Sequence, residues 1–257
     1  MSKNKVRLRV LRQNPAEKSV ARHWDVFEVS RFPRMTVLDV LRRIEREPVT
    51  KDGKRVQPVV WDCSCQEELC GACAMLVDGV VRMACGTLVD DVSPKGKLIS
   101  LEPLTKFPVV RDLVVDRKKM FDDLGRVRAW VEVDGTRDVG VGVEESVWEQ
   151  QRRYELSRCV TCGCCVEACP SVNDSSDFMG AAAMNQVSYW GMYPRRDVLR
   201  EERLESLMRV GGAAECGHAQ VCAEVCPMSI PLVESFGRVA RETSKHLLFR
   251  WMFGAGK

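Results

Sequence analysis

Along the first hundred residues, apolar and polar side chains alternate in short runs. Residues 6–11 (VRLRVL) and 24–29 (WDVFEV) alternate with a period of two, which predicts half-buried strands joined by a loop around Asn14 and Pro15. The period then changes. From Thr36, the segment TVLDVLRRIER places Val37, Leu38, Leu41 and Ile44 on one face of a helix, with Thr36 as N-cap and Asp39 at the third helical position. Val77–Asp78–Gly79–Val80 reads as a hairpin turn. Strands at 80–84 and 98–102 (LISLE) complete a small mixed sheet wrapped around one helix. Pro103 and Pro108 bracket an extended crossover, after which strands become scarce. Residues 145–163, 178–191, 197–210 and 230–243 read as helices. The chain is therefore expected to be α+β, with a boundary near 105–118 dividing it into domains at 1–110 and 111–257.

The second half is punctuated by cysteine. Residues 159–170 read CVTCGCCVEACP, and residues 216–227 read CGHAQVCAEVCP. Cys159, Cys162, Cys165 and Cys169 follow the C-x2-C-x2-C-x3-C-P run of bacterial-type ferredoxins, in which three thiolates hold one cluster and the fourth reaches across to the other. The second block fits the same template at Cys216, Cys222 and Cys226, but Ala219 stands where its second ligand belongs. Cross-ligation gives one cluster four thiolates, from Cys159, Cys162, Cys165 and Cys226. The other receives three, from Cys169, Cys216 and Cys222, and is most simply 3Fe–4S. Structural zinc also takes C-x2-C pairs, but it would need two separate tetrahedral sets, not interlocked triads each closed by Cys-Pro.

A different array lies upstream, in CSCQEELCGACAMLVDGVVRMAC at 63–85. Cys65, Cys70, Cys73 and the more distant Cys85 give the plant-type spacing of a 2Fe–2S centre. Gly71, between two of these ligands, suits a loop whose backbone must come close to a cluster. Cys63 would stretch the first gap and Cys164 would break the C-x2-C-x2-C step, so both read as non-ligands. Eleven of the thirteen cysteines are then assigned. The fold expected from both arrays is an N-terminal β-grasp plant-type ferredoxin domain followed by an all-α, helical bacterial-type ferredoxin domain carrying the 4Fe–4S and 3Fe–4S clusters.

Composition narrows the function classes. Thirteen cysteines in this arrangement point to metal ligands in a reducing compartment, not to a disulfide scaffold. A net charge of +3 with 29% charged residues gives no strong nucleic-acid field. No apolar run reaches the roughly 18 residues of a membrane span, and MSKNKVRLRV lacks the apolar stretch of a signal peptide. No Ser/His/Asp nucleophile array or paired-carboxylate site is evident.

In combination these motifs resemble the iron–sulfur subunit of the succinate dehydrogenase and fumarate reductase family. The resemblance runs nearly end to end, through GACAM, the crossover LEPLTKFPVVRDLVVD, YELSRCVTCGCCVEACP and CGHAQVCAEVCPMSIPL. It implies single-electron transfer between the FAD of a separate flavoprotein subunit and a quinone. The 2Fe–2S cluster would lie near the flavin, 4Fe–4S in the middle and 3Fe–4S near the quinone. It also implies a membrane-anchor cytochrome b subunit with haem b, and a peripheral position on the cytoplasmic face of the cell membrane. The stretches VEVDGT, FMGAAAMNQV and CGHAQVC are most similar to Gram-positive-type members that serve menaquinone.

The chain departs from the ubiquinone members of that family. PSVNDS follows the first Cys-Pro without an aromatic pair, and Gly217 replaces a histidine directly after Cys216, with His218 one position on. The quinone contacts implied are Pro170, which keeps its family position, with His218 and Trp190, and Tyr193 as a further aromatic wall. Arg152, Arg153 and Arg158 read as a solvated or subunit-facing helix surface. The C-terminal KHLLFRWMFGAGK sets Lys245, Arg250 and Lys257 among Leu247, Leu248, Phe249, Trp251 and Phe253, and either packs on its own domain or docks on the anchor. Two other classes compete: an iron–sulfur subunit of another flavin dehydrogenase, which Ala219 disfavours, and a free-standing ferredoxin-like carrier, for which the helical arms are larger than a shuttle needs.

Overall fold

A computed structural model describes residues 5–16, 21–131, 144–192 and 199–254. Tyr193, Lys257 and most of VEVDGT lie outside the described residues. The chain forms two compact units, Met1–Arg117 with Val160–Glu167, and Lys118–Cys159 with Ala168–Lys257.

The first unit is built on a five-stranded sheet. Strands β1 (Lys5–Arg12) and β2 (His23–Ser30) are antiparallel, pairing Leu8 with Phe27 and Val10 with Asp25. After helix α1 (Val37–Arg46) come β3 (Ala74–Val77), β4 (Val80–Met83), the short helix α2 (Val89–Val92) and β5 (Ile99–Glu102). The strand order is β2-β1-β5-β3-β4, with β5 parallel to β1 and antiparallel to β3. Period-two alternation sends Val6, Leu8 and Val10 of β1 into the core, while Arg7 and Arg9 stay half-exposed. Helix α1 closes one face with Val37, Leu38, Val40, Leu41 and Ile44, each contributing about 1.5–3 kcal/mol of burial. It starts where the sequence predicts. Thr36 Oγ1 accepts from the Asp39 N–H at 3.2 Å, and Asp39 accepts in return from the Thr36 N–H at 2.9 Å.

The crossover contains a small hairpin that alternation alone did not predict, β6 (Val109–Arg111) with β7 (Val114–Val115). Asp112 at its tip has φ of 45°, a left-handed conformation that aspartate tolerates. Its buried carboxylate accepts from Arg12 Nε at 3.0 Å and from the N–H groups of Gln13 and Val60. Arg12 in turn donates to Asp25 and to the Gln57 carbonyl, so this buried guanidinium ties β1, β2 and the crossover together.

The second unit is helical. Its elements are α3 (Lys118–Arg126), α4 (Val147–Ser157), α6 (Gly180–Gly191), α7 (Arg200–Met208), α8 (Val221–Glu224) and α9 (Leu232–Phe253); α5 (Cys164–Ala168) runs from the first unit into it. Val127, Phe178, Met184, Val187, Leu207 and Val239 make its core. Two helix expectations need adjusting. Helix α4 stops at Ser157, so residues 158–163 are not helical. Helix α9 continues ten residues past 243, since no glycine or proline interrupts it before Gly254. The short α3, which holds Gly125 and buries little apolar surface, was not predicted. At the end of α9 Arg250 is tied to Glu205 of α7 at 3.2 Å, while Leu247, Leu248, Phe249, Trp251, Met252 and Phe253 are all exposed. Among the described residues no helix is long and apolar enough to cross a membrane.

Candidate metal centres

The plant-type loop in the first unit brings Cys65, Cys70, Cys73 and Cys85 together. Gln66, Glu68 and Gly71 all adopt positive φ, which turns successive N–H groups inward. The N–H groups of Glu67 and Leu69 donate to Cys65 Sγ at 3.4 and 3.2 Å, that of Cys65 to Cys70 Sγ at 3.5 Å, and that of Glu68 to Cys85 Sγ at 3.3 Å. Donors aimed at sulfur favour thiolate. Burial works against this at Cys70, but the N–H groups of Cys65 and Ala72 outweigh it and draw that thiol down to about 7. Cys85 is pushed up to about 12 by burial and by its contact with Cys73, whose sulfur is 3.3 Å away. Cys73 is raised by burial as well, so two thiols held this close in a buried site give up their protons readily only to a shared cationic core, and the donor set fits an iron–sulfur cluster. Cys63 stands beside the group. Burial raises its pKa, with Cys85, Cys70 and Cys65 adding to the rise.

The first bacterial-type block enters the same unit at Cys162, Cys164 and Cys165, all buried. Cys164 donates its thiol hydrogen to Cys162; that bond draws Cys162 down to about 7, with burial opposing and Arg117 helping. The same bond and its burial drive Cys164 far upward, so it stays protonated. A protonated donor beside a thiolate suits a neighbour of the cluster better than a ligand to it. Glu167, also buried, accepts from Thr105 Oγ1 at 2.7 Å and from the Lys106 N–H at 3.1 Å, holding this block onto the crossover. Cys159 and Cys226 are half-buried and carried by the second unit.

Within the second unit Cys169, Cys216 and Cys222 line one cavity, and Ala219 lines it with them. Burial raises the Cys222 pKa, with Cys169 and Cys216 adding to the rise against a backbone hydrogen bond from Ala223, so Cys169 and Cys216 are within electrostatic reach of Cys222. The loop is shaped by His218 and Gln220, both left-handed, on either side of Ala219. Gly217 donates to Ser171 Oγ at 2.9 Å, and a Cβ at 217 would already press on that oxygen at 3.1 Å. Three thiols and one alanine around a single cavity fit a cluster with one corner free of protein sulfur. Among the described residues no group of three or more His, Cys, Asp or Glu side chains could hold a single metal ion. One zinc needs its donors within about 2.3 Å of a point, whereas a multi-iron core spreads them wider.

The residues implied as quinone contacts fall in different places. His218 lines the three-cysteine cavity and packs edge-on against Phe236, with ring centroids 5.2 Å apart. Pro170 is exposed, its carbonyl accepting from Asn173. Trp190 sits on α6 against Tyr189, and neither it nor Pro170 is among the described residues lining that cavity. Arg152 and Arg153 are held in ion pairs with Glu155 and Glu145 and are not simply solvated. The hydrogen-bonding role of Cys164 escaped the spacing argument, which could say only that it breaks the ligand step.

Comparison with known proteins finds a 2Fe–2S domain followed by a dicluster domain. Residues 7–122 match the 2Fe-2S iron-sulfur cluster binding domain, and residues 155–230 match the 4Fe-4S dicluster domain. The chain is 43% identical, over the full length of both proteins, to the succinate dehydrogenase iron-sulfur subunit of Bacillus subtilis. It is 30% identical to the fumarate reductase iron-sulfur subunit of Wolinella succinogenes, covering 91% of this chain and 95% of that one. A chain of the Mycobacterium smegmatis Sdh1 complex in the apo form shares the fold, with a TM-score of 0.78 at 21% identity over 95% of this chain and 97% of that chain.

Proposed function

The chain belongs to the iron–sulfur subunits of succinate dehydrogenase and fumarate reductase, and within that family we propose that its eleven assigned cysteines hold three clusters in series. Its function is electron transfer in complex II, alongside a flavoprotein and a membrane-anchor partner, as a peripheral membrane-associated subunit. Cys65, Cys70, Cys73 and Cys85 take 2Fe–2S; Cys159, Cys162, Cys165 and Cys226 take 4Fe–4S; Cys169, Cys216 and Cys222 take 3Fe–4S. When bound, such clusters exchange electrons one at a time, which splits the pair delivered by a flavin. The chain's own contribution is to hold thiolates and set their surroundings. Backbone N–H groups of Leu69, Cys65 and Glu68, donating to the sulfurs of Cys65, Cys70 and Cys85, offset negative charge and favour the reduced state there. Cys164 does the same for Cys162.

The observation that carries the three-cluster reading is the cavity shared by Cys169, Cys216, Cys222 and Ala219. A missing thiolate removes one negative charge and leaves the final station with a higher potential, suited to passing electrons to quinone. Exposure of His218 and Pro170 on the same loops gives that station a face open to a quinone pocket completed by the anchor subunit. The quinone we assign is menaquinone, on the likeness of FMGAAAMNQV and CGHAQVC to Gram-positive-type members and on Gly217. We further assign the subunit to the cytoplasmic face, a reading supported by the same likeness, with the exposed apolar end of α9 turned toward the anchor. EPR of the purified complex, oxidised and then stepwise reduced, tests the scheme. Three centres are expected, with a 3Fe–4S signal in the oxidised state and about nine irons per chain; about four irons, or zinc in place of iron, refutes it.

A further inference from the structure

Between α4, α6 and the first half of α9, away from the cysteine loops in sequence, the second unit holds a cleft of about 190 Å³. Arg152, Arg238 and Arg241 line it, with Trp148 as an aromatic wall and Ser188 and Ser235 at its buried side. The two serines are only 2% and 3% exposed, and neither hydroxyl has a hydrogen-bond partner among the described residues. A buried hydroxyl left unpaired is costly, and helical serines usually find a carbonyl or face a ligand. The arginines are not equivalent. Arg152 is paired with Glu155 and with Glu234, which also lines the cleft, and Arg241 lies near Glu242. Arg238 makes no ion pair or hydrogen bond among the described residues. The nearest carboxylates are engaged elsewhere: Glu242 with Arg200 at 2.7 Å, and Glu149 in the cap of α4. Burial draws the Arg238 pKa downward, Glu242 and Glu149 offsetting only part of it; a guanidinium nevertheless keeps its charge.

From this cleft we infer a site for a phosphoryl group, bound by Arg238 with the hydroxyls of Ser188 and Ser235 and approached by Arg241. The donors come from two helices, Ser188 from α6 and Ser235 and Arg238 from α9, and combine the five N–H groups of a guanidinium with two hydroxyls. That arrangement matches the three terminal oxygens of a tetrahedral phosphate monoester better than the two of a planar carboxylate. Glu234 is held by Arg152 on the cleft wall, which keeps that carboxylate off the anion. Trp148, 64% exposed, offers a surface for whatever the phosphoryl group is attached to. The same chemistry is presented by a soluble phosphate monoester and by a phospholipid headgroup.

Equilibrium dialysis of the purified complex against radiolabelled inorganic phosphate, at ionic strength fixed with chloride, tests the site. One saturable equivalent per chain is expected, weakened about tenfold or more by Arg238→Gln and several-fold by Ser235→Ala. Ser235→Ala should leave the thermal midpoint unchanged without phosphate, which separates binding from a structural role. It also carries the test if Arg238→Gln does not assemble. Displacement of the label by glycerol phosphate and by short-chain phosphatidic acid then tells the sources apart. Equal displacement assigns a soluble ligand, and displacement at much lower phosphatidic acid concentration assigns a lipid headgroup. No saturable uptake, or uptake that neither variant alters (an adventitious ion only), overturns the inference.

Discussion

Gly71, in the plant-type loop, lies against Cys162 of the bacterial-type block. With φ of +76°, it leaves no room for a side chain: a Cβ there would sit 2.7 Å from the Cys162 Cα and 2.9 Å from the Val160 carbonyl oxygen. The two cysteine arrays thus meet backbone to backbone within the first unit. Arg117 reinforces the contact, donating to the Ala72 carbonyl at 3.2 Å while its charge favours thiolate at Cys162. Close approach of two redox centres shortens the electron path, and a glycine is the residue type that permits it.

Gly71→Ala should therefore damage two centres at once. It meets backbone atoms that cannot swing away, in a conformation that alanine disfavours, so about 2 kcal/mol or more of local destabilisation is expected. EPR of the assembled variant should show both the 2Fe–2S and the 4Fe–4S signals diminished or broadened, with the 3Fe–4S signal spared. Loss of the 2Fe–2S signal alone would mean that the contact with Cys162 does not couple the two sites.

Serine replacements separate ligands from neighbours. Cys73→Ser and Cys226→Ser should lose or perturb the 2Fe–2S and 4Fe–4S centres respectively, or fail to assemble outright, because cluster insertion is coupled to folding. Cys63→Ser and Cys164→Ser should leave every cluster in place. At Cys164, serine can still donate to Cys162, so Cys164→Ala should shift the 4Fe–4S potential downward relative to Cys164→Ser. Potentiometric titration of the two variants reads that difference.

The buried Arg12 offers a stability test unconnected with iron. Replacing it with methionine leaves Asp112 and Asp25 without their cation, although Asp112 keeps the N–H groups of Gln13 and Val60. Breaking one side of a buried pair costs about 3–5 kcal/mol, whereas exposed pairs such as Lys118 with Asp122 contribute under about 1 kcal/mol. Arg12→Met should lower the thermal midpoint markedly, and Lys118→Ala should leave it within error. Comparable midpoints for the two would show that the cluster, not this pair, holds the crossover in place.

What could be read from sequence was whatever the chain decides locally. The Thr36 cap, the stripe from Val37 to Ile44 and the alternation in β1 and β2 all repeat a short-range rule, and the structure follows each one. The hairpin at 109–115 is positioned by Arg12 and by Val60, far away in sequence, so no local pattern announces it. The same holds for residues 160–167. Their spacing marks a ferredoxin-type block, but their attachment to the first unit rests on Glu167 with Thr105 and on Cys162 with Gly71, contacts that span sixty residues or more. Around the cysteines, spacing foretold which sulfurs gather, Cys65, Cys70, Cys73 and Cys85 in one loop and Cys169, Cys216 and Cys222 at one cavity. Cys164 stood out in the sequence only as an exception to the spacing, and its hydrogen bond to Cys162 was not announced there.

Ala219→Cys tests the inference that rests on a single missing sulfur. Ala219 lines the cavity with Cys169, Cys216 and Cys222, and the left-handed residues on both sides fix its direction, so a thiol there needs no change in backbone. Residue 219 is exposed, which leaves room for the sulfur and a fourth iron. The added thiolate brings one negative charge, so the centre should become 4Fe–4S with a lower reduction potential. The oxidised-state 3Fe–4S signal should vanish, and a new signal should appear only on strong reduction. Delivery of electrons to quinone should slow, because the last station would no longer lie downhill of the 4Fe–4S centre. Reduction of an artificial acceptor that draws electrons directly from the flavin should keep its rate. An unchanged 3Fe–4S signal in an assembled variant would mean that residue 219 does not face the open corner, and the division of Cys169, Cys216, Cys222 and Cys226 between the two clusters would have to be redrawn.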